Sequence, residues 1–225
     1  MKQLQKSLIA IIVFALLITL CACKNEDKQP ETSSDETNGI TGATSVKSDE
    51  TLSLGGELTI TFDYEKISGW ATNQFAVWIE DTDGNYINTL YATKWTANGG
   101  YKSRPDSIKI WVKKSGVDSM QKSAVDAISG ATPKAGKLSY SWDLTYSNGE
   151  TVPQGEYMFF VEGTLRWQNH VVYSGVIEIG DNAVTVTAEA EYFFEESGDN
   201  PALNEDSLEV AMISGVVAVF EPGLG

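Results

Sequence analysis

The sequence predicts an all-β fold, an immunoglobulin-like antiparallel β-sandwich with a short helical insertion, preceded by a signal peptide and a flexible tether. Three observations carry that prediction. Period-two alternation rich in β-branched and aromatic residues recurs at 57–64, 74–80, 86–93, 138–146, 156–167, 171–179, 183–194 and 208–220. Asp83-Gly84 lies between two of these runs and Asn148-Gly149 follows another, and both dipeptides supply the positive φ of tight hairpin turns. One stretch, residues 105–114, reads instead as helix. Pro105 suits a first turn, Ile108, Trp111 and Val112 share a face, and Gly116 can end it.

The segment before the sandwich follows from composition. Residues 24–53 are rich in Glu, Asp, Ser, Thr, Asn and Lys with almost no large apolar side chain, too little to offset the entropy of ordering. The expected organisation is a signal peptide over 1–22, an acidic tether over 23–53 and a sandwich over 54–225. A 225-residue chain that is 42% hydrophobic can build one medium core, which excludes collagen-like, coiled-coil and wholly disordered chains.

Charge and cysteine usage narrow the function. Lys plus Arg number 16 against 31 Asp plus Glu, a formal charge of −15 that repels a phosphate backbone, so no nucleic-acid partner is expected. Lys2 and Lys6 precede an apolar run over 8–20, shorter than the ~20 residues of a spanning helix but matching the core of an export signal. The run closes as Leu20-Cys21-Ala22-Cys23, which resembles a bacterial lipobox with Cys23 as the lipidated residue. Plain cleavage after Ala22 is the alternative. Acylated Cys23 would hold the protein to the lipid bilayer, outside the cytoplasm at the cell membrane.

Loss of residues 1–22 removes Lys2, Lys6 and no acid, taking the formal charge from −15 to −17. Neither cysteine then lies in the folded part. That excludes a thiol nucleophile, a disulfide, Cys-ligated zinc, an iron–sulfur cluster and c-type haem attachment. The single histidine, His170, is expected as a surface or rim imidazole in a strand–turn segment. Asp81-Thr82-Asp83-Gly84 reads as a hairpin turn rather than a calcium loop, whose other ligand positions are apolar or missing here. No nucleophile-elbow or zinc-ligand spacing supports a hydrolase. Any redox role therefore needs an organic cofactor.

The most specific string is Asp126-Ala127-Ile128-Ser129-Gly130-Ala131-Thr132. It resembles the acceptor motif for covalent FMN, joined through a phosphoester to the final threonine by an exported flavin transferase. Thr132 supplies the hydroxyl; Gly130 and Ala131 keep the chain thin enough to enter another enzyme's cleft, and Ser129 belongs to the same string. Asp126 is the motif's acid, expected to face the transferase or its metal, and Pro133 favours an extended Thr132. The other reading is a plain turn between helix and strand. A second copy, Asn38-Gly39-Ile40-Thr41-Gly42-Ala43-Thr44, makes Thr44 a further candidate acceptor, with Asn in place of Asp; a small-residue stretch of linker is the alternative there.

Around these residues the sequence resembles a predicted periplasmic family, domain of unknown function 2271. The likeness runs through 75–90, 125–133 and Trp142-Asp143 with Gly149, Val152-Pro153, Gly155 and Tyr157. The last segment also looks like the hairpin of flagellar-hook-cap-type immunoglobulin-like modules. The family resemblance implies extracytoplasmic flavinylation, and hence an electron carrier rather than an enzyme with its own substrate, fed by a membrane redox protein. The chain departs from the family pattern over 108–113, where an Arg- and Trp-rich stretch is replaced, so no cofactor-packing role is carried over there. Trp95, Tyr101 and Trp111 are the aromatic candidates to pack on a flavin ring, each with an ordinary core role as the alternative. The competing function is a non-redox immunoglobulin-like lipoprotein that binds a protein or glycan partner.

Overall fold

The computed structural model describes residues 55–223 apart from 70–72 and 197. The signal peptide and the tether, with Cys23 and Thr44, lie outside the described residues. Among the described residues ten strands form two sheets. The smaller sheet has the order β5 (Gly136–Trp142), β1 (Gly56–Tyr64), β10 (Ile213–Pro222), β8 (Val184–Thr187). The larger runs β4 (Ser129–Gly130), β3 (Tyr86–Thr93), β2 (Gln74–Asp81), β6 (Gly155–Thr164), β7 (His170–Ile179), β9 (Glu189–Phe193). Every pairing is antiparallel except that of β3 with the two-residue β4. The expected β-sandwich is the observed one.

Alternation places one face of each sheet in a shared core. Leu58, Ile60, Phe62 and Tyr64 of β1 pack there with Phe75, Val77 and Ile79 of β2 and Phe159 and Val161 of β6. The hairpin turns form where the dipeptides stand. Gly84 has φ of 80° and Gly149 of 86°, and Asp81 Oδ1 accepts the Asp83 and Asn85 amides at 3.0 and 2.8 Å. Tyr157 donates its hydroxyl to the Pro153 carbonyl at 2.7 Å, a tyrosine corner of the immunoglobulin kind.

A second core lies on the outer face of the larger sheet, where Ala76, Trp78 and Ala92 meet Ala97, Ile108, Trp111, Val117 and Val125 of a helical layer. Strand β2 is consequently buried on both faces, so its run from Phe75 to Ile79 is continuously apolar rather than alternating as expected. The layer is larger than the single helix expected. It comprises α1 (Lys94–Ala97), α2 (Lys109–Ser115) and α3 (Lys122–Ile128), with one-turn 3-10 segments at Gly100–Lys102 and Val117–Ser119.

Helix α2 starts four residues later than the proline signal suggests. Ile108 holds a left-handed φ of 44°, a conformation costly for a branched residue, so the helix cannot extend back through it. Two side chains of β6 stabilise the arrangement: Thr164 Oγ1 accepts the Ile108 amide at 2.9 Å, and the Glu162 carboxylate accepts those of Ile110 and Trp111 at 3.2 and 2.8 Å. The helix ends at Gly116, φ 63°, as its sequence predicts.

Three further expectations are corrected. Residues 183–194 do not form one strand: the chain leaves the smaller sheet after β8 and joins the larger one as β9, with Ala188 donating its amide to the Val216 carbonyl at the crossing. Leu208–Met212 is a 3-10 segment, and the strand begins only at Ile213. His170 is not at the surface. It opens β7 opposite Phe193 and is fully buried, its ring stacked on that phenylalanine at 4.4 Å and 2°.

Burial pushes the Glu162 carboxyl up to about 7 against the help of its two amide donors, and burial drives the His170 imidazole down to about 4. Folded Glu162 holds its proton more tightly than the unfolded chain does, so its contribution is complete below about pH 4.5 and is lost as pH rises through about 7. His170 acts in the reverse sense, with stability present above about 6.5 and lost as pH falls through about 4. From pH 4.5 to 8 the unfolding free energy of Glu162→Gln should therefore gain on wild type by about 3 kcal/mol, read from urea midpoints. His170→Gln should lose ground over the acid half of that range.

Candidate functional site

The string 126–132 begins on a helix and ends on a strap. Asp126 sits in the last turn of α3. Ser129 and Gly130 then pair in parallel with Ala92 and Thr93 at the edge of the larger sheet. The next strand, β5, opens at Gly136 opposite Tyr64 in the smaller sheet. Residues 131–135 thus cross one side of the sandwich, carrying Thr132 between two anchored ends.

Tyr91 of β3 fixes the near end of this strap. Its ring lies so close to Gly130 that a Cβ there would meet Tyr91 Cε2 at 2.8 Å, and its hydroxyl donates to the Ala131 carbonyl at 2.7 Å. Glycine is required by this approach rather than by a turn. Tyr91 in turn packs on Tyr140 of β5 at 4.8 Å and on Phe75 at 5.1 Å, an aromatic cluster that ties the two sheets together under the strap. Burial pushes the Tyr91 phenol up to about 12, and that of Tyr140 upward as well, so both remain neutral hydroxyl donors at physiological pH.

Around that anchor the string's polar groups divide. Ser129 Oγ is buried without a hydrogen-bond partner. Asp126 is exposed, and its carboxylate accepts from Lys122 Nζ at 3.0 and 2.8 Å, a contact that holds its pKa below the usual carboxylate value. Thr132 is partly exposed, and among the described residues no hydrogen bond engages its hydroxyl. A phosphoester acceptor needs an accessible, unengaged hydroxyl on a thin chain, and Thr132 following Gly130 and Ala131 has these properties. The residues present fit the group that the motif resembles.

The aromatic candidates separate in the fold. Trp111 is fully buried, with its indole N–H donated to Thr89 Oγ1 at 2.9 Å, so it belongs to the second core and cannot face a ligand at the strap. Tyr101 packs against the same core. Trp95 is 38% exposed and leans on Gly100. Tyr91 and Tyr140, which lie at the strap, carry no sequence signal that links them to residue 131.

Two clefts flank the string. One, of about 510 Å³, runs beside α3 and is lined by Tyr86, Asn88, Met120, Ala127, Ile128 and Tyr146 among others. The second, of about 530 Å³, lies at Ala135 and Gly136 beside Asp63, Tyr64, Glu65 and Lys66. Among the described residues no cluster of His, Cys, Asp and Glu could hold a metal ion, and no helix is long and apolar enough to cross a membrane.

Residues 55–196 match the family described as predicted periplasmic protein (DUF2271). No curated protein and no solved structure gives a significant match. The matched span runs from the start of β1 through the helical layer, the strap and β9, leaving only β10 among the strands beyond it. Covering more than half of the 225 residues, it shows that the chain belongs to the DUF2271 family of predicted periplasmic proteins, whose place is outside the cytoplasm.

Proposed function

We propose that the protein is a lipid-anchored extracytoplasmic flavoprotein with FMN esterified to Thr132. It moves electrons between a membrane redox protein and an extracytosolic acceptor. The observation that carries this reading is the state of Thr132: an unengaged hydroxyl on a strap anchored at both ends, within a string that resembles a flavinylation motif. The turn reading accounts for Ser129 and Gly130, which pair with β3, and for the Ala131 carbonyl, which accepts from Tyr91. It leaves Thr132 without a task.

In the modification step the Thr132 Oγ forms a bond to phosphorus while a phosphoanhydride bond of a flavin dinucleotide breaks. A nucleoside monophosphate leaves, and the hydroxyl proton passes to a base of the exported transferase. Asp126, exposed beside Lys122, is positioned for the transferase to read. The bound flavin supplies reversible one- and two-electron transfer; the chain's own residues hold the attachment point and set its electrostatics. Lipidation of Cys23 would keep the carrier at the membrane, and Thr44 is a second candidate acceptor.

Material exported from a host that possesses the transferase is expected to be yellow and to carry the mass of at least one esterified FMN. Thr132→Ala should remove one flavin, and any flavin left should map to Thr44 by peptide mass. Colourless wild-type protein with only polypeptide and acyl mass would end this reading. The acidic surface also sets a sign. Negative charge disfavours the anionic reduced flavin and lowers its potential, so the midpoint should rise as salt screens the protein from 0.01 to 0.5 M, where the screening length falls from ~30 Å to a few ångströms. A potential unchanged across that range would show the net charge to be without effect.

A further inference from the structure

We infer that the groove between α3 and the turn after β5 is the seat of the flavin ring, an inference that rests on the proposed attachment at Thr132. Three observations carry it. The first is reach. Ile128 lines the groove and lies four residues before Thr132, no more than ~14 Å even along a fully extended chain. A ribityl phosphate arm fixed to the Thr132 hydroxyl spans that order of distance.

The second is charge. No side chain lining the groove is charged, in a protein that carries 31 acidic residues. Such a lining admits a neutral planar ring and offers nothing to a phosphate, which the ester keeps outside on the strap. The cleft at Ala135 and Gly136 is the opposite case, since Asp63 and Glu65 stand there against a single Lys66. The third is shape and chemistry. At about 510 Å³ the groove falls within the range of small-molecule sites, and Tyr86, Tyr146, Met120 and Ile128 supply aromatic and apolar wall. Asn88 Nδ2 donates to the Thr145 carbonyl at 3.4 Å, joining the β3 wall to the turn wall.

Ala124 of α3 and Ser147 of the turn after β5 line the groove from exposed positions outside the 126–132 string, so enlarging either fills the groove while leaving Thr132 and its motif in place. The experiment compares flavinylated wild type with Ala124→Trp and Ser147→Trp, using flavin stoichiometry by intact mass, acrylamide quenching of flavin fluorescence and visible circular dichroism. The expected result is unchanged stoichiometry, with the quenching constant raised severalfold and the induced dichroism lost, since a seated ligand hides most of its surface. Two variants are used so that misfolding of one leaves the other to decide. Wild-type flavin as accessible to acrylamide as free FMN overturns the seat alone, as do two folded, flavinylated variants indistinguishable from wild type. Wild-type protein without flavin overturns the attachment itself and the seat with it.

Discussion

A carboxylate sealed from water determines where the helical layer sits. Glu162 is fully buried on the outer face of β6, and an ionised carboxylate without partners there would cost several kcal/mol. Its partners are the free amides at the start of α2, the groups a helix cannot satisfy for itself. The pairing serves both elements, and it fixes the helix start one residue after a strained Ile108. Trp111 is thereby held over β3, where its indole reaches Thr89. From α2 the chain passes through Gly116 into α3, and α3 delivers the string 126–132 to the sandwich edge. Position at the strap descends from that buried acid.

The edge itself is closed by aromatic packing. An open sandwich would expose the interior between β3 and β5, the two edge-side elements that face each other across the sheets. Tyr91 and Tyr140 pack at a tilt in that gap, with Phe75 and Phe62 behind them. The strap runs over this plug, and Gly130 is the one residue small enough for Tyr91 to come against it. The strap is therefore tied to the core by packing and by one hydrogen bond, with its ends held by β4 and β5.

Local pattern made much of this readable. The period-two runs at β1, β3, β6 and β7, the apolar run of β2 and the turns at Gly84 and Gly149 depend on residues near one another in the chain, so local pattern and dipeptide chemistry place them. The start of α2 does not, because Glu162 is 51 residues beyond Trp111 and no local signal announces the pairing. The burial of His170 is hidden from local pattern for the same reason. Its burial depends on Phe193 of β9, and β9 exists as a separate strand only because the chain changes sheets at Ala188. At the site, the string 126–132 is legible as a motif, while Tyr91 is not: its hydroxyl meets the Ala131 carbonyl 40 residues away, through a parallel pairing of two residues.

Under the proposed attachment at Thr132, the strap meets two demands that conflict in most folds. A side chain to be modified by another enzyme must leave the surface of its own protein, whereas a cofactor that exchanges electrons must be held in one place. A threonine within a strand would satisfy only the second demand, because its backbone is committed to the ladder. A threonine in a long loop would satisfy only the first. Thr132 stands two residues after a sheet pairing and four before the next, so the segment able to move is short and its ends are fixed. An acceptor placed there can enter a transferase cleft by local displacement of 131–135, then return to a surface already formed by β3, α3 and the turn after β5. The helical layer that distinguishes this chain from a bare sandwich supplies one wall of that surface.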